Sequence, residues 1–204
     1  MSKLSRLSAA FAALAITLSI QVAFAEELSG ASLVRTLRAG GCVLVMRHAS
    51  SPATLPDAST ADPDNTKHER QLDEIGRNDA TTVGTAIRSL RIPIGAVLSS
   101  PTYRARETLR LTAVGTPTIT QELDEGTLTP NDAKAVWLRN KVAEPPRAKA
   151  NTLLVTHSPN INGAFTDLTP GVAQGEMLVF RVEKGKAKLI ARIKPSDWNK
   201  LGDN

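Results

Sequence analysis

Apolar residues fall along this chain in two alternating rhythms, short unbroken blocks and longer stretches with helical spacing. The blocks at 42–46, 96–98 and 152–156 lack polar alternation, which predicts strands buried on both faces. Residues 118–121 read as a weaker strand, and 177–182 with 187–193 as a closing hairpin about Lys184-Gly185-Lys186. Between them lie helical patterns. The first covers 28–38 and is stopped by Gly40-Gly41; a second over 72–90 places Leu72, Ile75, Val83, Ile87 and Leu90 at helical intervals. Further helices are expected from about 101 to 113 and from 130 to 142. Strands alternating with helices in this order predict an α/β layer architecture. Residues 50–67 form a Pro-, Asp-, Ser- and Thr-rich loop, long enough to suggest a lid or binding loop.

The first 25 residues follow a different plan. Lys3 and Arg6 precede an apolar run from Leu7 to Ile20, and Ala23-Phe24-Ala25 stands ahead of Glu26-Glu27. This is the layout of a cleaved secretory signal, and the run falls short of the ~20 residues that span a bilayer. The expectation is a signal peptide at 1–25, a single domain at 26–204, and a periplasmic or secreted mature protein with no membrane span. The whole chain carries 25 basic and 20 acidic residues, a net charge of +5, which falls to +3 without Lys3 and Arg6. That excess is scattered and argues against a nucleic-acid or membrane surface. Cys42 is the single cysteine and is expected to be a buried strand residue without chemistry.

Candidate chemistry gathers where the strong strands end. The first block finishes in Arg47-His48, the second in Ser99-Ser100-Pro101 with Arg104 beyond, and the third in His157. In an open parallel sheet, ligands bind outside the carboxyl ends of strands, so these residues are expected to converge. Two histidines and two arginines suit phosphoryl transfer: a neutral imidazole is nucleophilic, and guanidinium forks bind phosphoryl oxygens. Such catalysis is mainly positioning and charge stabilisation, so no metal or other cofactor is expected. The third histidine, His68, forms no ligand motif with the others. Arg70 and Arg106 read as surface residues, and Trp137 and Trp198 as packing residues.

Several motifs, in order, resemble the histidine phosphatase superfamily, whose fold is phosphoglycerate-mutase-like. Leu44-Val45-Met46-Arg47-His48-Ala49 resembles its strand-end Arg-His motif, with alanine in place of the usual glycine. Leu72-Asp73-Glu74-Ile75-Gly76-Arg77, followed by Ala80 and Gly84, is similar to its next helix. The segment Ser99-Ser100-Pro101-Thr102-Tyr103-Arg104-Ala105-Arg106-Glu107-Thr108 matches its S-S-P-x-x-R-A-x-E-T pattern, and Leu153-Leu154-Val155-Thr156-His157-Ser158-Pro159-Asn160 its second-histidine strand. The resemblance covers about residues 42–161. It implies a three-layer α/β/α sandwich with a mostly parallel central sheet.

It also implies that His48 is phosphorylated, with Arg47, Arg104 and His157 around the phosphate. The family's proton donor often lies in an L-x-E context, which Leu123-Asp124-Glu125-Gly126 supplies. Glu125 is the first choice, Asp124 the reserve, and a donor-free reaction on a good leaving group the third possibility. Ser158 occupies the position where other branches carry an acid. The implied activity is metal-independent hydrolysis of a small phosphomonoester. Two alternatives stay open: a protein phosphohistidine phosphatase, and a phosphate-binding protein without turnover. A mutase fits less well, since the family's mutases carry longer insertions that shelter the phosphoenzyme from water.

Overall fold

The structure, a computed structural model, describes residues 27–168 and 170–202. The expected signal segment lies outside them. The elements follow in the order α1 (Gly30–Ala39), β1 (Cys42–Arg47), α2 (Glu74–Ser89), β2 (Ile94–Ser99), α3 (Tyr103–Thr112), β3 (Thr118–Ile119), α4 (Ala133–Val142), β4 (Asn151–Thr156), α5 (Ser158–Ala164), β5 (Met177–Glu183) and β6 (Lys186–Ile193). Short 3-10 turns occupy Gln121–Leu123 and Pro195–Lys200.

The six strands form one sheet in the order β3-β2-β4-β1-β5-β6. β3, β2, β4 and β1 are mutually parallel, while β5 runs antiparallel to both β1 and β6. The sheet is thus mostly parallel. Its centre is β1, flanked by β4 with Leu44 opposite Leu153 and by β5 with Leu44 opposite Val179. Alternate residues feed two separate cores. Leu44, Met46, Leu153 and Val155 pack with α1, α2 and the inner face of α3, and with Trp198. Val43, Val45, Leu154 and Phe180 pack with α4 and α5. A continuous apolar strand is therefore required, because both faces of β1 are covered. The outcome is the expected three-layer sandwich, and Cys42 is buried within it.

The second helix starts later than its periodicity predicts. Asp73 caps it, Oδ1 accepting from Gly76 N at 2.7 Å, so Leu72 lies ahead of the helix and packs instead with Ala49 and Ala80. This setting turns Ile75 outward, 65% exposed, where helical spacing had assigned it to the core. Gly84 lets α2 press on α3: a β-carbon there would collide with the carbonyl of Thr112. Helix α5 was not expected from the sequence. Its residues SPNINGA are poor helix formers, but Pro159 sits in the first turn and Ile161 and Ala164 are buried against the second core. Lys184 and Gly185 close the β5–β6 hairpin with φ of +51° and +73°, the two-residue turn that matches strand twist.

No helix or strand interrupts the chain between β1 and α2. Side chains organise this stretch in their place. Asp57 Oδ1 accepts from the backbone N–H groups of Ser59 and Thr60, and Asn65 makes two bonds with the backbone of Glu69. Asp62 receives both Arg77 and the Tyr103 hydroxyl, which ties the loop to α2 and α3. Among the described residues, no helix is long and apolar enough to cross a membrane.

Candidate active site

The parallel register brings the carboxyl ends of β1, β2 and β4 together, with Arg47 paired to Thr156 and Ser99 to Val155. The residue after each strand is buried: His48, Ser100 and His157. The rings of His48 and His157 lie 5.3 Å apart, centre to centre. Arg104, in the first turn of α3, reaches between them and is itself only 5% exposed. Its Nε donates to His48 Nε2 at 3.2 Å, and its Nη2 donates to His157 Nδ1 at 3.0 Å and to Glu125 Oε2 at 2.8 Å. Glu125 is thereby brought against Arg104, beside the two histidines. Asp124 faces away from Arg104: its carboxylate accepts from Glu125 N and lies 4.0 Å from Lys134.

The network sets the tautomers. His48 Nδ1 is 2.8 Å from the carbonyl of Ala49 and donates to it, which leaves the Nε2 lone pair facing Arg104. His157 Nδ1 accepts from Arg104, so Nε2 carries the proton and donates to Ser100 Oγ at 2.8 Å. Burial keeps His48 neutral down to about pH 3, with Arg104, Arg47 and Arg70 adding repulsion against a bond to Ala49 that favours the cation. Burial and the charge of Arg104 likewise hold His157 down to about 2. Both rings are uncharged at neutral pH, the state a nitrogen nucleophile needs.

Arg47 completes the cationic wall. Its Nη1 donates to the carbonyl of Val172 at 3.0 Å, while its buried Nε has no partner among the described residues. Burial followed by the neighbouring arginine charges lowers the proton affinity of both Arg47 and Arg104, against the pull of Glu125. Buried guanidinium groups in excess over the one carboxylate paired with Arg104 suit the binding of an anion.

The structure adds Arg70 to this wall, where the sequence reading had left it on the surface. Its Nη2 and Nε donate to the carbonyls of Ser51 and Pro52 at 2.6 and 2.7 Å, and its charge acts on His48, His157, Arg47 and Arg104 alike. No spacing signal marks it, because a loop fold brings it in. Arg106 does stay outside, stacked over the Tyr103 ring at 5.8 Å. Thr108 is a second support that spacing alone does not reveal: Oγ1 accepts from Ala49 N at 3.1 Å and donates to the Arg104 carbonyl at 2.8 Å, joining the backbones of both functional residues. Trp198 is buried packing, and Trp137 lies under Lys141 on α4. The described residues contain no group of three or more His, Cys, Asp or Glu able to hold a metal ion.

Residues 43–129 match the family model of the histidine phosphatase superfamily, branch 1. No curated protein matches the chain. Among solved structures, the protein histidine phosphatase SixA complexed with tungstate is 18% identical, with 76% of this chain and 98% of that chain covered at a TM-score of 0.54. SixA of Nakamurella multipartitia is 22% identical, with 76% and 96% covered at 0.53. A phosphoserine phosphatase variant from Entamoeba histolytica, in complex with phosphoserine, is 10% identical, with 76% and 97% covered at 0.52. At such identities the structural likeness speaks for the fold, and the motif-bearing match at 43–129 speaks for the family. The segment that carries the first histidine, Arg104 and Glu125 is thus the part of this chain that is similar to the histidine phosphatase superfamily.

Proposed function

We propose that this protein is a phosphoric monoester hydrolase that works through a phosphohistidine at His48. The observation that carries the proposal is the convergence of two neutral histidines with Arg47, Arg70 and Arg104, none of which is neutralised apart from Arg104 through Glu125. His48 Nε2 attacks phosphorus, and the bond to the leaving oxygen breaks as Glu125, having taken a proton from solvent when the substrate phosphate displaces it from Arg104, passes that proton to the leaving oxygen. Water then attacks the phosphohistidine, Glu125 takes its proton, and the P–N electrons return to Nε2 as inorganic phosphate departs. Arg47, Arg104 and His157 hold the equatorial oxygens in both steps, where charge is spread over them.

The substrate is proposed to be a small phosphomonoester. A cavity of about 280 Å³ between the long loop and the start of α3, walled by Asp64, Lys67, Glu69 and Arg106, is lined by none of the site residues. The likeness to SixA favours a second reading, a phosphohistidine side chain on a protein as substrate. We also propose export, with cleavage after Ala25.

The test is turnover of p-nitrophenyl phosphate in excess chelator, with acid-labile label trapped on the protein. His48→Ala is expected to remove label and reduce turnover at least about 10³-fold, the scale for losing a nucleophile. Full activity in that variant rejects the mechanism. Faster release of phosphate from a phosphohistidine protein than from any small ester would favour the second reading, and tight phosphate binding without turnover would indicate a binding protein.

A further inference from the structure

The turn that carries Glu125 is held almost wholly from outside itself. After the 3-10 turn ends at Leu123, Asp124 is extended and belongs to no strand, so its polar backbone needs side-chain partners. One side chain supplies two of them. Asn160, 1% exposed, donates through Nδ2 to the Asp124 carbonyl at 2.8 Å and accepts through Oδ1 from Gly126 N at 2.7 Å. The two bonds bracket Glu125 on both sides. A carboxamide is suited to this, since it offers a donor and an acceptor in one rigid plane. Thr156 Oγ1 donates to the Leu123 carbonyl at 2.7 Å, and Lys134 Nζ to the Glu125 carbonyl at 3.0 Å.

We propose that Asn160 is the positioning residue for the proton donor, fixing the backbone on either side of Glu125 so that its carboxyl reaches the leaving oxygen. The inference rests on the reading of Glu125 as that donor. Glu125 has a half-exposed side chain, 50%, whose side-chain partner is Arg104. Packing does not restrain it, so its reach depends on where its backbone is held. Asn160 stands three residues beyond His157, one turn along α5, and so on the same side of the helix. A single short helix thereby sets the second histidine and the acid relative to each other. Gly126 belongs to the same clamp, since a β-carbon there would lie 3.1 Å from Asn160 Oδ1 and 3.1 Å from Asp132 Oδ1.

A proton donor matters only when the leaving oxygen is basic. Benzyl phosphate leaves as an alkoxide and needs a proton, whereas p-nitrophenyl phosphate, of similar size, leaves as a stable phenolate and does not. Single-turnover rates of phosphoenzyme formation by Glu125→Gln, Asn160→Ala and Gly126→Ala from both substrates therefore separate positioning from general damage, because they leave out the hydrolysis step in which Glu125 acts again as base. Glu125→Gln is expected to lose about 10²-fold in this rate with benzyl phosphate and far less with p-nitrophenyl phosphate, while its steady-state turnover falls on both. Asn160→Ala and Gly126→Ala are expected to lose about tenfold in the same rate with benzyl phosphate, again with a far smaller loss from the aryl ester. Retained phosphoenzyme formation from the aryl ester serves as the internal check of folding. Should Asn160→Ala fail to fold, Gly126→Ala at the partly exposed end of the clamp decides the matter. Equal losses on both esters, or no loss on either while Glu125→Gln remains selective, would overturn the role of Asn160 alone. A Glu125→Gln variant without selectivity would overturn the donor assignment, and the clamp's role with it.

Discussion

His48 and His157 sit in environments far from that of an ordinary, solvated histidine. Neither ring accepts a proton in the folded protein until about pH 3 and about pH 2, whereas both do so near 6.5 in an unfolded chain. Below 6.5 the unfolded state thus binds protons that the native state refuses, and stability falls as the pH drops from neutrality toward 4. At pH 5 the loss amounts to about 2 kcal/mol for each histidine. Denaturant midpoints at pH 7.5 and 5 in phosphate-free buffer measure it, and His48→Gln is expected to remove about half of the difference. Identical pH slopes in the two proteins would contradict this account. These two residues, with Arg47 and Arg104, were legible in sequence because each terminates an apolar strand or follows one closely. Arg70 was not. Its place depends on loop bonds to Ser51 and Pro52, for which no periodicity exists.

At the scale of elements, the segment between α5 and β5 is the least regular part of the pocket, yet it holds Arg47. The Val172 carbonyl that receives Arg47 sits in a loop stapled by a buried ion pair. Glu176, with a side chain 2% exposed, accepts from Arg192 Nε at 2.7 Å and Nη2 at 3.0 Å, and also from Ala173 N at 2.7 Å. Arg192 donates in addition to the carbonyls of Pro170 and Gly171. Arg192→Met strands a buried carboxylate and is expected to cost about 3–5 kcal/mol, much of it recovered when Glu176→Gln is added. Urea unfolding of the single and double variants checks the stability, and phosphate affinity checks the effect on Arg47. A single variant as stable as the wild type would show that the pair is not the staple. The sequence announced none of this, because Arg192 lies on β6 and Glu176 in the loop just ahead of β5, and they meet only through a hairpin register that a single chain does not display. The same limit explains α5, whose helix comes from burial rather than from propensity.

For the whole molecule, the layer architecture was legible because β1 and β4 are apolar without alternation, and only a sheet covered on both faces asks for that. Strand order was hidden. β1 lies between β4 and β5, partners more than a hundred residues away in the chain, and long-range pairing leaves no local mark. The proposed export belongs at this scale as well. The expected outcome is a mature protein that begins at Glu26 in the fraction outside the cytoplasm, read by N-terminal sequencing. Full-length protein with Met1 retained would reject it.

The direction of β5 has a practical consequence. Because it runs back against β1, Met177 lies beside Met46 near the reactive end of the sheet, and the strand carries the chain to the other end before it turns. Lys184, Lys186 and Lys188 are exposed around that turn, on the pole opposite His48. An amine-reactive tether or an inserted tag at Lys184-Gly185 would hold the protein on a surface with its catalytic mouth facing solution.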